Sequence, residues 1–284
     1  MVRQLQGFRK KIPLGYILLV ALVVSAMMMV LFPIIWMFFT SIRPIRETLS
    51  HPPVWIPREI TLEAYIRLLS DPRQIRFLRN TYFIAIPTAL LSIGLGSLAA
   101  YGFSRFRIRG GRVILLSILS LQMLPTVALI IPFFNMALWL NIHHTFLALI
   151  LADTGFALPI SIWMLKGYMD SIPVNLEEAA MVDGCSRLQA LYKIVLPLAL
   201  PGLVGTATFA FLWAWNEFMF AVILAAGYPD VAPLTIAISE FITESGRAWS
   251  NIMALNVIAT LPLMVLFIFL QRWVVQGMTA GAVK

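Results

Sequence analysis

Residues 175–197 read NLEEAAMVDGCSRLQALYKIVLP, a polar stretch set between two long apolar ones. Asn175 stands where it can cap a first helical turn just after Pro173, and Glu178 three residues later completes a capping-box spacing. Leu176, Ala179 and Ala180 then share one helical face, and Gly184 supplies a C-terminal stop. Ser186 and Gln189 repeat the capping-box spacing. Leu188, Leu191, Tyr192 and Val195 follow at helical intervals until Pro197 withdraws a backbone donor. The pattern predicts two short helices joined at a glycine, a compact knob within a loop over residues 168–197. Apolar residues beside acidic ones on such a knob call for a cover, a partner surface or, in the plainer reading, the membrane surface on which a helical hairpin would lie.

Outward from the knob, 60% of the chain is hydrophobic and only 12% is charged. Soluble domains carry about a quarter charged residues, so this is an integral membrane protein. The net charge of +8 sits in short segments that flank apolar runs, a matter of membrane topology and not of nucleic-acid binding. Cys185, the single cysteine, permits no internal disulfide and reads as a small residue in the turn.

Six apolar spans are expected, at about 12–40, 81–103, 113–140, 146–165, 198–226 and 251–274, followed by a tail at 275–284. Together they make one all-α membrane domain over residues 1–284. The first run exceeds the roughly 7–15 apolar residues of a signal peptide and is expected to remain as an anchor. The polar, proline-containing segment after it reads as an outer loop, with a short interfacial helix at 61–69 capped by Thr61. Ser92, Gly96, Ala100 and Ser104 form a stripe of small residues in the second span, suited to close helix contact. Pro125 and Pro132 predict a kinked or locally unwound third span.

Arg3, Arg9, Lys10, Lys11, Arg105, Arg107, Arg109, Arg112, Lys166, Arg187, Lys193, Arg272 and Lys284 fall on one side of this topology. The other side holds eight basic residues, seven of them in or beside the single long loop. Short loops follow the positive-inside tendency more faithfully than long ones, so the knob and both termini are placed in the cytoplasm.

The chain has no GxxxxGK[ST] loop to cradle ATP, no HExxH, no paired-cysteine metal pattern and no GxSxG elbow. It is therefore expected not to be an enzyme and to bind no cofactor or metal of its own. Adjacent His143 and His144 fall in a turn, where water and headgroups are the expected surroundings. Gln122, Asp153, Asn216 and Glu217 are polar groups within spans, where ionisable groups tend to face a cavity or a partner. They are candidates for lining a translocation path. The plainer readings are that Asp153 reaches the outer surface and that Glu217 pairs with a neighbouring helix or subunit. Trp213 and Trp215 beside them could stack on sugar faces or simply pack.

Glu178, Ala179, Ala180, Gly184, Ile194, Leu196 and Pro197 match a further pattern: EAA, three residues, G, nine residues, I, one residue, LP. This resembles the EAA loop of the permease subunits of ABC importers. FLWAWNEFMFAVIL in the fifth span and the terminal RWVVQGMTAGAVK are similar to the carbohydrate branch, in particular to MalG-like permeases of maltose-type importers. The resemblance implies a type I importer permease with its coupling helix between the fourth and fifth spans. It implies a second homologous permease, two copies of a cytoplasmic ATPase that carry ATP and Mg, an extracytoplasmic solute-binding protein, and a sugar as cargo. The setting would be lipid, in a bacterial or archaeal plasma membrane. In the coupling role Glu177, Glu178 and Asp183 would make charged contacts with the ATPase, Ala179 and Ala180 its close apposition, and Gly184 the turn. Gly277, Thr279 and Gly281 of the tail would reach the ATPase interface. An ABC importer for another solute, and a self-sufficient secondary transporter, are the alternatives.

Overall fold

The computed structural model describes residues 14–48, 50, 54–244 and 248–280. Among them α-helix accounts for nearly all regular structure, interrupted only by a 3₁₀ turn and a π turn. The long elements are α1 (Leu14–Ser41), α2 (Glu63–Ser70), α3 (Pro72–Arg105), α4 (Gly111–Ser120), α5 (Thr126–Trp139) and α6 (Phe146–Ser171). They are followed by α7 (Asn175–Val182), α8 (Arg187–Ala190), α9 (Leu200–Asn216), α10 (Met219–Leu224), α11 (Leu234–Glu244) and α12 (Trp249–Ala280). Among the described residues four helices, α1, α3, α6 and α12, are long and apolar enough to cross a membrane, and up to six spans result if each of two bent helix pairs counts as one. The chain forms two compact units, residues 1–66 with 248–257, and residues 67–247 with 258–284.

In the first unit α1 presents exposed apolar side chains along its length, as a helix surrounded by hydrocarbon does. Beyond it, Ser41 Oγ and Tyr65 Oη lie 2.6 Å apart and the Thr61 amide donates to the Ile42 carbonyl. Thr61 Oγ1 accepts from the Glu63 amide, the cap its position foretold. Ala64 and Leu68 of α2 are buried, while Ile66 and Leu69 on it and Leu62 just before it stay exposed.

The second unit is built on α3, α6 and α9. The stripe of small residues on α3 meets α6: Ser92 and Ala100 are fully buried, and a methyl group added to Gly96 would stand 3.3 Å from Ser161 Cβ. Ser104 ends the stripe by donating from Oγ to Asp170 Oδ1 of α6. Where α9 crosses α6, a Cβ on Gly202 would lie 2.3 Å from the Tyr168 ring, so glycine is what allows the approach. Such close backbones recover dispersion contact in a medium that offers no hydrophobic drive between helices.

Several expected boundaries move. The helix that holds the second span begins at Pro72, nine residues ahead of the expected span, because Asp71 accepts from the Arg73 amide and Pro72 occupies the first turn. Arg73 and Arg76, assigned to a loop, therefore sit on helix and pair with Glu240 and Asp230. The third span is broken outright. Leu124 and Pro125 are extended, and α4 and α5 meet at 99°. Proline disfavours the helical conformation in the residue before it, and at Pro125 that preference prevails, with Leu124 extended. Pro132 is accommodated inside α5. The fourth span runs on to Ser171. The fifth is interrupted at Glu217 and Phe218, and the expected loop after it contains α11. Finally α12 continues to Ala280, so Gly277 and Thr279 extend a helix and do not form a separate tail; Gly281 and Lys284 lie outside the described residues, as do Arg3, Arg9, Lys10, Lys11 and Arg247.

Candidate coupling knob and intramembrane polar site

The knob follows the sequence in outline and departs from it at the start. Asn175 is the first residue of α7, not its cap: Val174 occupies that place, and no side chain caps the helix. The Asn175–Glu178 capping box is therefore absent. At the other end α7 closes as a full Schellman turn. Gly184 donates to the Met181 carbonyl, Cys185 donates to Ala180, and Gly184 has φ +90°, the left-handed region where a side chain is strained. The second capping box does form, with Gln189 N donating to Ser186 Oγ and Ser186 N donating to Gln189 Oε1. Past it the backbone widens to a π turn, Leu191–Val195, and then runs through Pro197 to Leu198. Pro197 thus does not end the element. The wide turn accommodates a ring that would collide with a regular i−4 carbonyl.

The predicted apolar periodicity divides between two faces. Leu191, Val195, Ala190 and Ala199 are buried, and the first two pack with Ala100 and Tyr101 of α3 and Leu165, Met169 and Ile172 at the end of α6. Leu196 packs against the same cluster, so this motif residue anchors the knob, with Ile194 half-buried and Pro197 exposed. Val182, Leu188, Tyr192 and Leu176 remain exposed, alongside Glu178, Ala179 and Asp183.

Glu177 is a correction. Its side chain is 4% exposed and forms an ion pair with Arg105, itself 5% exposed, so it offers no surface contact. Tyr101 Oη donates to Glu177 Oε2 at 2.9 Å, and Arg105 Nη2 donates to the Ile172 carbonyl at 3.0 Å. Ala180 is also buried. One arginine thereby ties the end of α3, the end of α6 and the first turn of α7 together. Arg105 reads as a topology signal in sequence; only its three-dimensional neighbours disclose this role.

The polar groups of the spans gather around the two helix breaks. Gln122, in the 3₁₀ turn between α4 and α5, donates from Nε2 to the Phe156 carbonyl of α6 at 2.6 Å. Asp153 on α6 is 2% exposed and its Oδ1 has no hydrogen-bond partner among the described residues, which rules out the solvated outer position. The neighbouring Thr154 hydroxyl and Trp213 Nε1 are likewise buried without partners. Glu217 stands at the second break, where α9 ends. Its carboxylate accepts from the Phe220 and Ala221 amides, so it caps α10 in place of pairing with another helix. Asn216 is exposed and donates to the Leu212 carbonyl of its own helix. Trp213 stacks on Phe156 at 6.0 Å, while Trp215 is buried edge-on against Tyr82, a packing role. His144 does not face water and headgroups alone. It stacks on Tyr228 at 3.7 Å, and its Nδ1 lies 2.9 Å from the Leu224 carbonyl.

Comparison with known proteins agrees with this architecture. A sulfoquinovosyl glycerol transport system permease protein of Agrobacterium fabrum is 35% identical, with 99% of this chain and 96% of the relative covered. A trehalose/maltose transport system permease protein of Thermococcus litoralis is 36% identical over 93% of this chain and 96% of its own length. A chain of a crystallised bacterial ABC transporter for the acidic polysaccharide alginate superposes with a TM-score of 0.78 at 24% identity, covering 94% of this chain and 99% of that one. Residues 92–280 match the family model of the binding-protein-dependent transport system inner membrane component. With both helix breaks and the knob inside the matched region, the chain belongs to that family, the permease subunits of ABC importers.

Proposed function

We propose that this chain is the permease subunit of a sugar importer and that the α7–α8 knob is where an ATPase subunit docks. Relatives named for sulfoquinovosyl glycerol and for trehalose and maltose support the cargo class. The observation that carries the docking role is the two-faced knob: Leu191 and Val195 buried in the ends of α3 and α6, Val182, Leu188 and Tyr192 exposed beside Glu178 and Asp183. An exposed apolar patch rimmed by acidic groups is the form of a protein interface. A second homologous permease would complete the path, and a solute-binding protein would deliver sugar from outside. Two ATPase copies would hold the ATP and Mg, and their closure would pull on the knob. Its buried anchor would pass that motion to the spans. Gln122, Asp153, Asn216 and Glu217 would meet the path where the spans break, and the α12 end with Gly277, Thr279 and Gly281 would lie against the ATPases.

The test is ATP hydrolysis by the purified complex, with and without sugar-loaded binding protein. Glu178→Lys puts a positive charge on the exposed first turn of α7 and is expected to abolish the stimulation while the subunits still co-purify. Full stimulation and full sugar uptake by that variant would reject the docking role.

A further inference from the structure

Arg43 stands two residues beyond the end of α1, and it is 3% exposed. Its guanidinium lies 5.4 Å from the Trp36 ring and donates through Nη2 to the Trp55 carbonyl at 3.4 Å, a long bond. Its Nε has no hydrogen-bond partner, and no carboxylate pairs with it among the described residues. A buried cation in that condition is costly, and a ring face replaces only part of what an anion provides. Arg43 also borders a cavity of about 300 Å³, shared with Trp36, Thr40, Thr48, Trp249 and Met253. That volume reaches the lower end of small-molecule sites, of about 300–1,000 Å³.

The depth of the cavity selects its occupant. At a rise of about 1.5 Å per residue, the 28 residues of α1 cover roughly 42 Å, more than the roughly 30 Å of hydrocarbon. A helix with about 12 Å to spare beyond the hydrocarbon carries Arg43, just past its end, out toward the phosphates. Trp36, Trp55 and Trp249 cluster at the same level, with Trp36 and Trp55 edge to face at 5.3 Å, as tryptophans gather at membrane interfaces. We propose that Arg43 and this cavity bind a phosphate group, and that its source is the headgroup of a membrane phospholipid. The planar fork of guanidinium donors suits two phosphate oxygens at once, and the tryptophan faces suit the glycerol and the first methylenes.

The experiment takes the assembled importer in detergent, stripped of lipid and titrated with phosphatidylglycerol, with bound lipid counted by native mass spectrometry. Wild type is expected to hold one lipid that Arg43→Gln binds about tenfold more weakly, the scale of one lost charged hydrogen bond. Arg43→Lys should fall between them, keeping the charge without the fork. Thr48→Trp fills the cavity while leaving Arg43 in the chain and should also lose the lipid, which covers the case in which Arg43→Gln fails to assemble. Equal retention by wild type and both cavity variants would overturn the proposal. Occupancy by inorganic phosphate alone with no lipid retained would replace the lipid with a soluble anion and overturn its source. Loss of the second permease from Arg43→Gln, with no lipid on wild type, would mean that the guanidinium pairs with protein, which also refutes the proposal. The readout is bound lipid, so it stands apart from whether the cargo is a sugar.

Discussion

The helix α9 joins two sites of opposite character, the knob before its first residue and the polar break after its last. In the knob each oxygen of the buried Glu177 carboxylate has a donor, from Arg105 and from Tyr101, and Arg105 reaches a backbone carbonyl besides. At the break, Asp153 Oδ1, Thr154 Oγ1 and Trp213 Nε1 are buried without partners among the described residues. A fully bonded buried network holds one geometry, whereas an incompletely bonded one leaves donors and acceptors for water or a passing hydroxyl. The contrast suits a rigid lever at one end of α9 and a surface for transient contacts at the other.

The contrast can be broken by substitution. Glu177→Ala strands a buried Arg105 and should cost about 3–5 kcal/mol, read as a lower melting temperature of the purified chain or complex. Replacing both residues by methionine should restore most of that stability but not the ATPase stimulation, because the polar tie among α3, α6 and α7 is gone. A double variant with full stimulation would remove Arg105 from the lever. Next in size is Gly202→Ala, whose new methyl collides with Tyr168 and should cost about 1–3 kcal/mol by overpacking; Tyr168→Leu in the same chain should relieve it. Gly184→Ala forces a side chain into the left-handed turn and should cost about 1–2 kcal/mol, with Gly184→Asn milder. The smallest effect on stability belongs to Asp153→Asn. It removes a buried acid of which one oxygen has no partner, so thermal stability should hold or rise while sugar uptake by the complex slows. A large loss of stability there would show that Asp153 is bonded as tightly as Glu177.

Much of this was legible along the chain because it depends on neighbours a few residues apart. The turn at Gly184, the Ser186–Gln189 capping box, the small-residue stripe from Ser92 to Ser104 and the break at Pro125 are all local, and each stands in the structure. The start of α3 at Asp71 was also local, but its arginines resembled an outer loop because Glu240 and Asp230 lie more than 150 residues away. The same distance concealed Glu177. Its place in a polar knob suggests a surface charge, and nothing within the knob indicates that Arg105, 72 positions earlier, draws it inside.

Hydropathy, caps and breakers act within one or two turns, so the order of residues alone was enough to make this a membrane chain of apolar helices with a two-helix polar knob. Contacts between distant segments were needed to settle which face of the knob is buried, which acid is paired and which is stranded, and where α9 stops. Those outcomes depend on which distant donor reaches a carboxylate first, and in a low-dielectric interior that pairing outweighs the local preference of any single residue.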